Sequence, residues 1–192
     1  MSSHVSTLPR QELNARQAET VERLLTAAAE ELRTVGPESV TVRTVAGRAG
    51  VSPATAYTYF ASRNHLFAEL FWRKVLLEHP AEISGTTPLA RVQSVTRQLS
   101  AVLAESPHLA AAANHALLGT DPDVERLRTV IGLDMFGRFR EALGESASEE
   151  LLDALAMVQV GTLLQTGMGL ISYDDLAARF DALVATVMKG NV

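Results

Sequence analysis

The sequence predicts an all-helical chain of two units, a small N-terminal three-helix one and a larger C-terminal helical domain. Three observations predict it. Apolar residues recur at spacings of three and four along most of the 192 residues. Helix-start residues (Ser, Thr or Asp, several followed by Pro) recur before these runs. No alternating pattern of strand length interrupts them. A hydrophobic content of 47 % is ample for a buried core, and the formal net charge is −5.

Residues 1–16 are polar and Ser-rich, with Pro9, and read as a flexible arm without a secretion signal, so a cytoplasmic protein is expected. Val21, Leu24, Leu25, Ala28, Ala29, Leu32 and Val35 then form one helix face, which Gly36-Pro37 ends. Thr41 is placed to cap a short helix whose buried face is Val42, Val45, Ala46 and Ala49. Gly50 supplies the left-handed residue after it, and Val51 plugs the angle to the next helix. Ser52 caps that helix and Pro53 opens it, where a missing N–H costs nothing. Its leading residues, Ala54, Thr55 and Ala56, are slim, while Tyr57, Tyr59 and Phe60 are bulky. Ser62 caps a fourth helix with the stripe Leu66, Phe67, Leu70 and Phe71, closed by His79-Pro80. The stretch 81–88, with Gly85 and two threonines, is the linker, so the units are 17–79 and 80–192.

Two short helices joined by a tight apolar turn over Thr41–Phe60 have the layout of a helix-turn-helix, which makes double-stranded DNA the first partner to consider. Charge points the same way. From Thr41 to Leu77 there are five cationic residues (Arg43, Arg48, Arg63, Arg73, Lys74) against one acid, Glu69, a local charge of +4 in an acidic chain. The block from about Arg23 to Leu70 carries an amphipathic first helix, the A-G-V-S turn, the Y-T-Y-F end and the S-R start of a fourth helix, in that order. It resembles the DNA-binding domain of the tetracycline-repressor (TetR) family of bacterial transcriptional regulators. Ala54 stands where that family often has glycine, and Ala56 where it often has leucine.

The resemblance implies an N-terminal helix-turn-helix domain and a C-terminal domain for ligand binding and dimerisation. It also implies residue roles. Arg43, Pro53 and Ala54 would face base edges, and Thr41, Ser52, Thr55, Tyr57, Thr58, Tyr59 and Arg63 would divide between phosphate contacts and positioning. Two such heads related by a twofold axis would read half-sites about 34 Å apart on a pseudo-palindromic operator. A small molecule bound among the middle helices would change the head spacing and release the DNA, which requires unequal affinity for the two spacings.

Beyond the linker the periodicity predicts helices over Leu89–Glu105, His108–Leu118, Pro122–Leu143, Ser148–Ile171 and Tyr173–Met188. From Ala154 to Tyr173 twenty consecutive residues carry no formal charge. Gln159, Thr162, Gln165, Thr166 and three glycines make this a poor membrane span. A helix buried on two sides, by its own domain and by a second copy of the chain, accounts for it better. The last helix adds the stripe Leu176, Phe180, Leu183, Val184 and Val187. The resemblance makes these last two helices a homodimer interface.

Candidate residues lining a sensor cavity are Leu99, Leu103, Asn114, His115, Met135, Phe136, Phe139 and Gln165, a set whose scarcity of charge favours a lipophilic effector. Catalysis, a metal and a cofactor are not expected. The chain has no cysteine, no G-x-S-x-G and no phosphate-binding glycine loop. His108 and His115, seven apart, lack further ligands for a metal. Asp121, Asp123 and Glu125 read as an acidic helix start. An enzyme working in the helical cavity and a carrier or interaction module without DNA binding are the alternatives. The second would be expected to lack Arg43, Tyr57, Tyr59 and Arg63.

Overall fold

A computed structural model describes residues 15–190, which form nine α-helices and no strand. They are α1 (Ala15–Val35), α2 (Val42–Ala49), α3 (Pro53–Tyr59), α4 (Arg63–Phe71), α5 (Pro88–Glu105), α6 (Pro107–Leu117), α7 (Pro122–Leu143), α8 (Glu149–Gly167) and α9 (Leu176–Met188). Most of the expected arm lies outside the described residues, and Ala15 and Arg16, assigned to it, already belong to α1.

Local chemistry sets the helix starts. Thr41 and Thr44 form a reciprocal capping box at α2, each hydroxyl accepting from the other's backbone N–H at 3.1 and 3.0 Å. Ser52, Ser62, Thr87 and Ser148 accept from the third residue onward at α3, α4, α5 and α8. Asp121 caps α7 through the Asp123 N–H at 2.9 Å. Gly50 ends α2 in the left-handed region, φ 66° and ψ 34°, and the Val51 N–H returns to the Ala46 carbonyl at 3.0 Å.

Helix ends are finished from a distance. Arginines from other elements donate to the terminal carbonyls: Arg23 to Ala49 and Gly50, Arg91 to Ala142, Arg128 to Leu117 and Gly119, and Arg138 to Leu76 and His79. Each guanidinium satisfies orphan acceptors and sits at the negative end of a helix dipole. Arg138 serves an unusual end, because α4 continues past Phe71 as a π-helical segment, Trp72–Leu77.

One apolar core runs from Val21 on α1 to Met188 on α9. Phe60 is buried where α3 meets α4, with the His65 ring edge-on at 5.8 Å. Further along, α8 stops at Gly167 rather than Ile171, and α9 begins at Leu176 rather than Tyr173. Met168 and Leu170 lie 66 % and 73 % exposed with Gly169 at φ 76°, so no burial repays continuing the helix.

Candidate nucleic-acid interface

The N-terminal unit exposes most of α3. Pro53, Ala54, Thr55, Tyr57 and Thr58 are exposed on it, Tyr59 is half-buried against the core, and Ala56 is fully buried. A methyl at position 56 lets α3 sit close on the core beneath it, while its outer side stays free for a groove floor. Ser52 and Thr55 share a hydroxyl hydrogen bond of 2.8 Å, and the Thr58 hydroxyl donates to the Ala54 carbonyl at 3.1 Å. Thr41 is exposed at the start of α2, with Arg43 exposed on the same helix.

The positive charge is more focused than the sequence suggests. Arg48 pairs with Glu31 at 2.6 Å and Glu30 at 3.4 Å, Arg73 with Glu69 at 2.7 Å, and Lys74 with Glu22 and Glu78. The local charge of +4 counted only residues 41–77, whereas α1 supplies three of these partners and position 78 a fourth. Burial opposes the charge on Lys74, but the hydrogen bonds it donates to Glu22 and Glu78 hold its pKa above the ordinary value. Two of the five cations stay uncommitted to carboxylates among the described residues: Arg43 on α2 and Arg63 at the first turn of α4. The Arg63 guanidinium lies 6.0 Å from the Phe67 ring centroid. These cations belong to the helices immediately before and after the exposed α3, which suits a helix end entering a major groove between phosphate strands.

A cavity lies deeper. Phe71, Leu103, Ala110, Ala113, Asn114, Leu117, Leu163 and Tyr173 line a cavity of about 40 Å³. Of the eight expected lining residues, Leu103 and Asn114 reach it. Leu99, Met135 and Phe139 are buried in the core and Phe136 partly so, while His115 and Gln165 face solvent, each on the outer side of its helix. Phe71 and Tyr173 carry no sequence signal for the cavity, because they lie on α4 and in the α8–α9 turn, away from the middle helices. Burial pushes the Tyr173 phenol above its ordinary pKa, so it meets the cavity as a neutral donor.

Asn114 donates to the Leu163 carbonyl at 2.6 Å and lies against Gly167, where an added Cβ would sit 2.0 Å from its amide nitrogen. Gly167→Ala is therefore expected to displace Asn114 and destabilise the fold by about 1–3 kcal/mol, read as a lower urea midpoint. An unchanged midpoint would mean the side chain moves aside freely.

Helix α8 turns large apolar residues outward, beside Asp153 and Gln165, and keeps several polar ones inside, unlike an ordinary surface helix. Gln159, Thr162 and Thr166 are buried, whereas Met157 and Val160 are 74 % and 62 % exposed. On α9, Leu176, Phe180, Val184 and Met188 face the core and the small residues Ala178, Ala182 and Thr186 face outward. Among the described residues no helix is long and apolar enough to cross a membrane.

Residues 24–70 match the family model of bacterial regulatory proteins, tetR family. An HTH-type transcriptional regulator of Mycobacterium tuberculosis is 39 % identical over 180 residues, covering 92 % of this chain and 84 % of its own length. A TetR transcriptional regulator from Rhodococcus shares the fold with a TM-score of 0.74, 22 % identity and coverage of 92 % of this chain and 99 % of that one. The Thermus thermophilus repressor FadR, solved with lauroyl-CoA, superposes with a TM-score of 0.71 at 20 % identity, covering 88 % and 94 %.

Proposed function

Starting from the fact that the chain belongs to the TetR family of bacterial transcriptional regulators, we propose that it is a homodimeric repressor, released from a pseudo-palindromic operator by a lipophilic ligand. The observation that carries the DNA half of this reading is the exposed face of α3, with Arg43 and Arg63 free of carboxylates on the helices that flank it. Arg43 with Pro53 and Ala54 faces base edges. Thr41, Ser52, Thr55, Tyr57, Thr58, Tyr59 and Arg63 hold the backbone and set register.

The outward apolar residues of α8 and the small outward residues of α9 form the dimer interface. Residues 17–79 act as the reading head and 80–192 as the sensor and dimer domain. The ligand half rests on the cavity. Six of its eight lining residues are apolar, and Asn114 and Tyr173 supply polar handles. At about 40 Å³ it is far smaller than a drug-sized ligand needs, so binding must widen it. Phe71 lies in its wall, so widening it displaces α4, the helix that follows α3 in the chain. FadR's lauroyl-CoA makes long acyl thioesters reasonable first probes.

Selection of bound duplexes from a random pool tests the reading, followed by titration of the complex with acyl-CoA esters and other lipophilic compounds. The proposal expects a symmetric site and displacement by at least one uncharged or long-chain ligand class. Recovery of no symmetric site would contradict it, as would displacement only by a charged sugar phosphate.

A further inference from the structure

One helix of the sensor domain grips α4 at both ends. At the start of α4, the Ser62 hydroxyl accepts from the His65 N–H at 2.9 Å and donates to Asp121 Oδ2, at the start of α7, at 2.5 Å. Asp123 Oδ2 lies 3.7 Å from the His65 ring. At the far end Arg138, sixteen residues into α7, donates to the Leu76 carbonyl at 2.8 Å and the His79 carbonyl at 3.1 Å, while Asp134 orients it at 2.7 Å. Start meets start and end meets end, so α4 and α7 run in the same direction.

Parallel helices bring like ends of their dipoles together, which by itself is unfavourable. The brackets answer this electrostatically: carboxylates lie between the two positive ends, and a guanidinium lies at the carbonyl end of α4. Hydrogen bonding from Ser62 holds the Asp121 carboxyl below its ordinary pKa, so it stays ionised at neutral pH. The fourteen-position separation of Ser62 and Leu76 puts the brackets about 20 Å apart at a helical rise. Apolar packing of Leu66, Phe67, Leu70 and Phe71 seats α4 in the core, chiefly on α6; two polar contacts to α7 at that distance add fixed points for its register and tilt.

We propose that Asp121 and Arg138 are positioning residues for operator recognition, locking α4 and the attached α3 to α7 so that α7 sets the separation of the two heads. This rests on the dimeric, DNA-reading function argued above. A head held this way discriminates sharply between operators of different half-site spacing. A head with its brackets cut still folds and still binds phosphate, but accepts more than one spacing.

The test uses the full-length protein, its selected operator, the same operator with one base pair inserted between half-sites, and a duplex without a site. Asp121→Asn keeps an oxygen for the α7 cap but has no second acceptor for Ser62. Arg138→Gln removes the guanidinium. The double variant is expected to lower the ratio of affinities for the two spacings by about fivefold or more, each single variant by less, with binding to the siteless duplex unchanged. Ser62→Thr retains the hydroxyl donor and should keep the parental ratio, and Arg138→Lys should recover part of it. A parental ratio in the double variant would overturn the inference, as would an equal loss on all three duplexes. If the double variant does not fold, Asp121→Asn alone decides by the same ratio. Failure of the parent protein to select any symmetric site would instead fall on the function itself, before any variant is compared.

Discussion

Met157→Glu combined with Val160→Glu is expected to leave a folded monomer whose affinity for the palindromic operator is at least about 100-fold below the parent's. Both side chains lie mostly exposed on the outer side of α8, at 74 % and 62 %, so two carboxylates there disturb no packing within the chain. In a dimer the same positions meet a second copy, and the substitution buries like charges without partners. The loss on DNA follows from linkage: two joined heads bind the second half-site at a high effective concentration, and a monomer forfeits that advantage. Sedimentation velocity reads the mass, circular dichroism the fold, and fluorescence anisotropy the operator affinity. A variant that remains dimeric with parental affinity would remove α8 from the interface.

Arg43→Ala is expected to weaken operator binding by about 1–3 kcal/mol, roughly fivefold to 150-fold, while binding to siteless DNA changes far less. Arg43 is exposed on α2 and pairs with no carboxylate among the described residues, so its removal releases no buried charge. A guanidinium can engage the two acceptors of a guanine edge at once, and that selectivity separates readout from simple phosphate attraction. The check is anisotropy titration on both duplexes at several salt concentrations. Equal losses on the two, with a shallower salt slope, would make Arg43 a phosphate contact.

The parts of this fold that were legible in the sequence are those governed by neighbours along the chain. Thr41, Gly50, Ser52, Pro53 and Ser62 each act within a few residues, and each takes the conformation or cap its type predicts. What depends on distant partners was not legible. The carboxylates that neutralise Arg48 and Lys74 come largely from α1, so a charge count over the helix-turn-helix alone overstated its basicity. The π-helical stretch Trp72–Leu77 carries no Pro or Gly to announce it, and its end is finished by Arg138, some sixty positions away.

The C-terminal helices show the same division. The uncharged run from Ala154 predicted a helix without a polar face, and α8 does turn apolar residues outward. Near its end, Asn114 of α6 packs against Gly167 and donates to the Leu163 carbonyl, a contact that periodicity cannot register. For the cavity, helical spacing identified Leu103 and Asn114 but could not tell inward from outward for His115 and Gln165, which sit beside buried positions on the same helices.

The central claim is that two copies of the α3 head, held at a fixed separation by α8 and α9, read one operator. Sedimentation equilibrium of the protein with the selected operator and with an isolated half-site tests it most directly. Two chains per full duplex are predicted, with binding to the half-site weaker by at least about 100-fold. A single chain bound per full duplex, as tightly as to the half-site alone, would contradict the account.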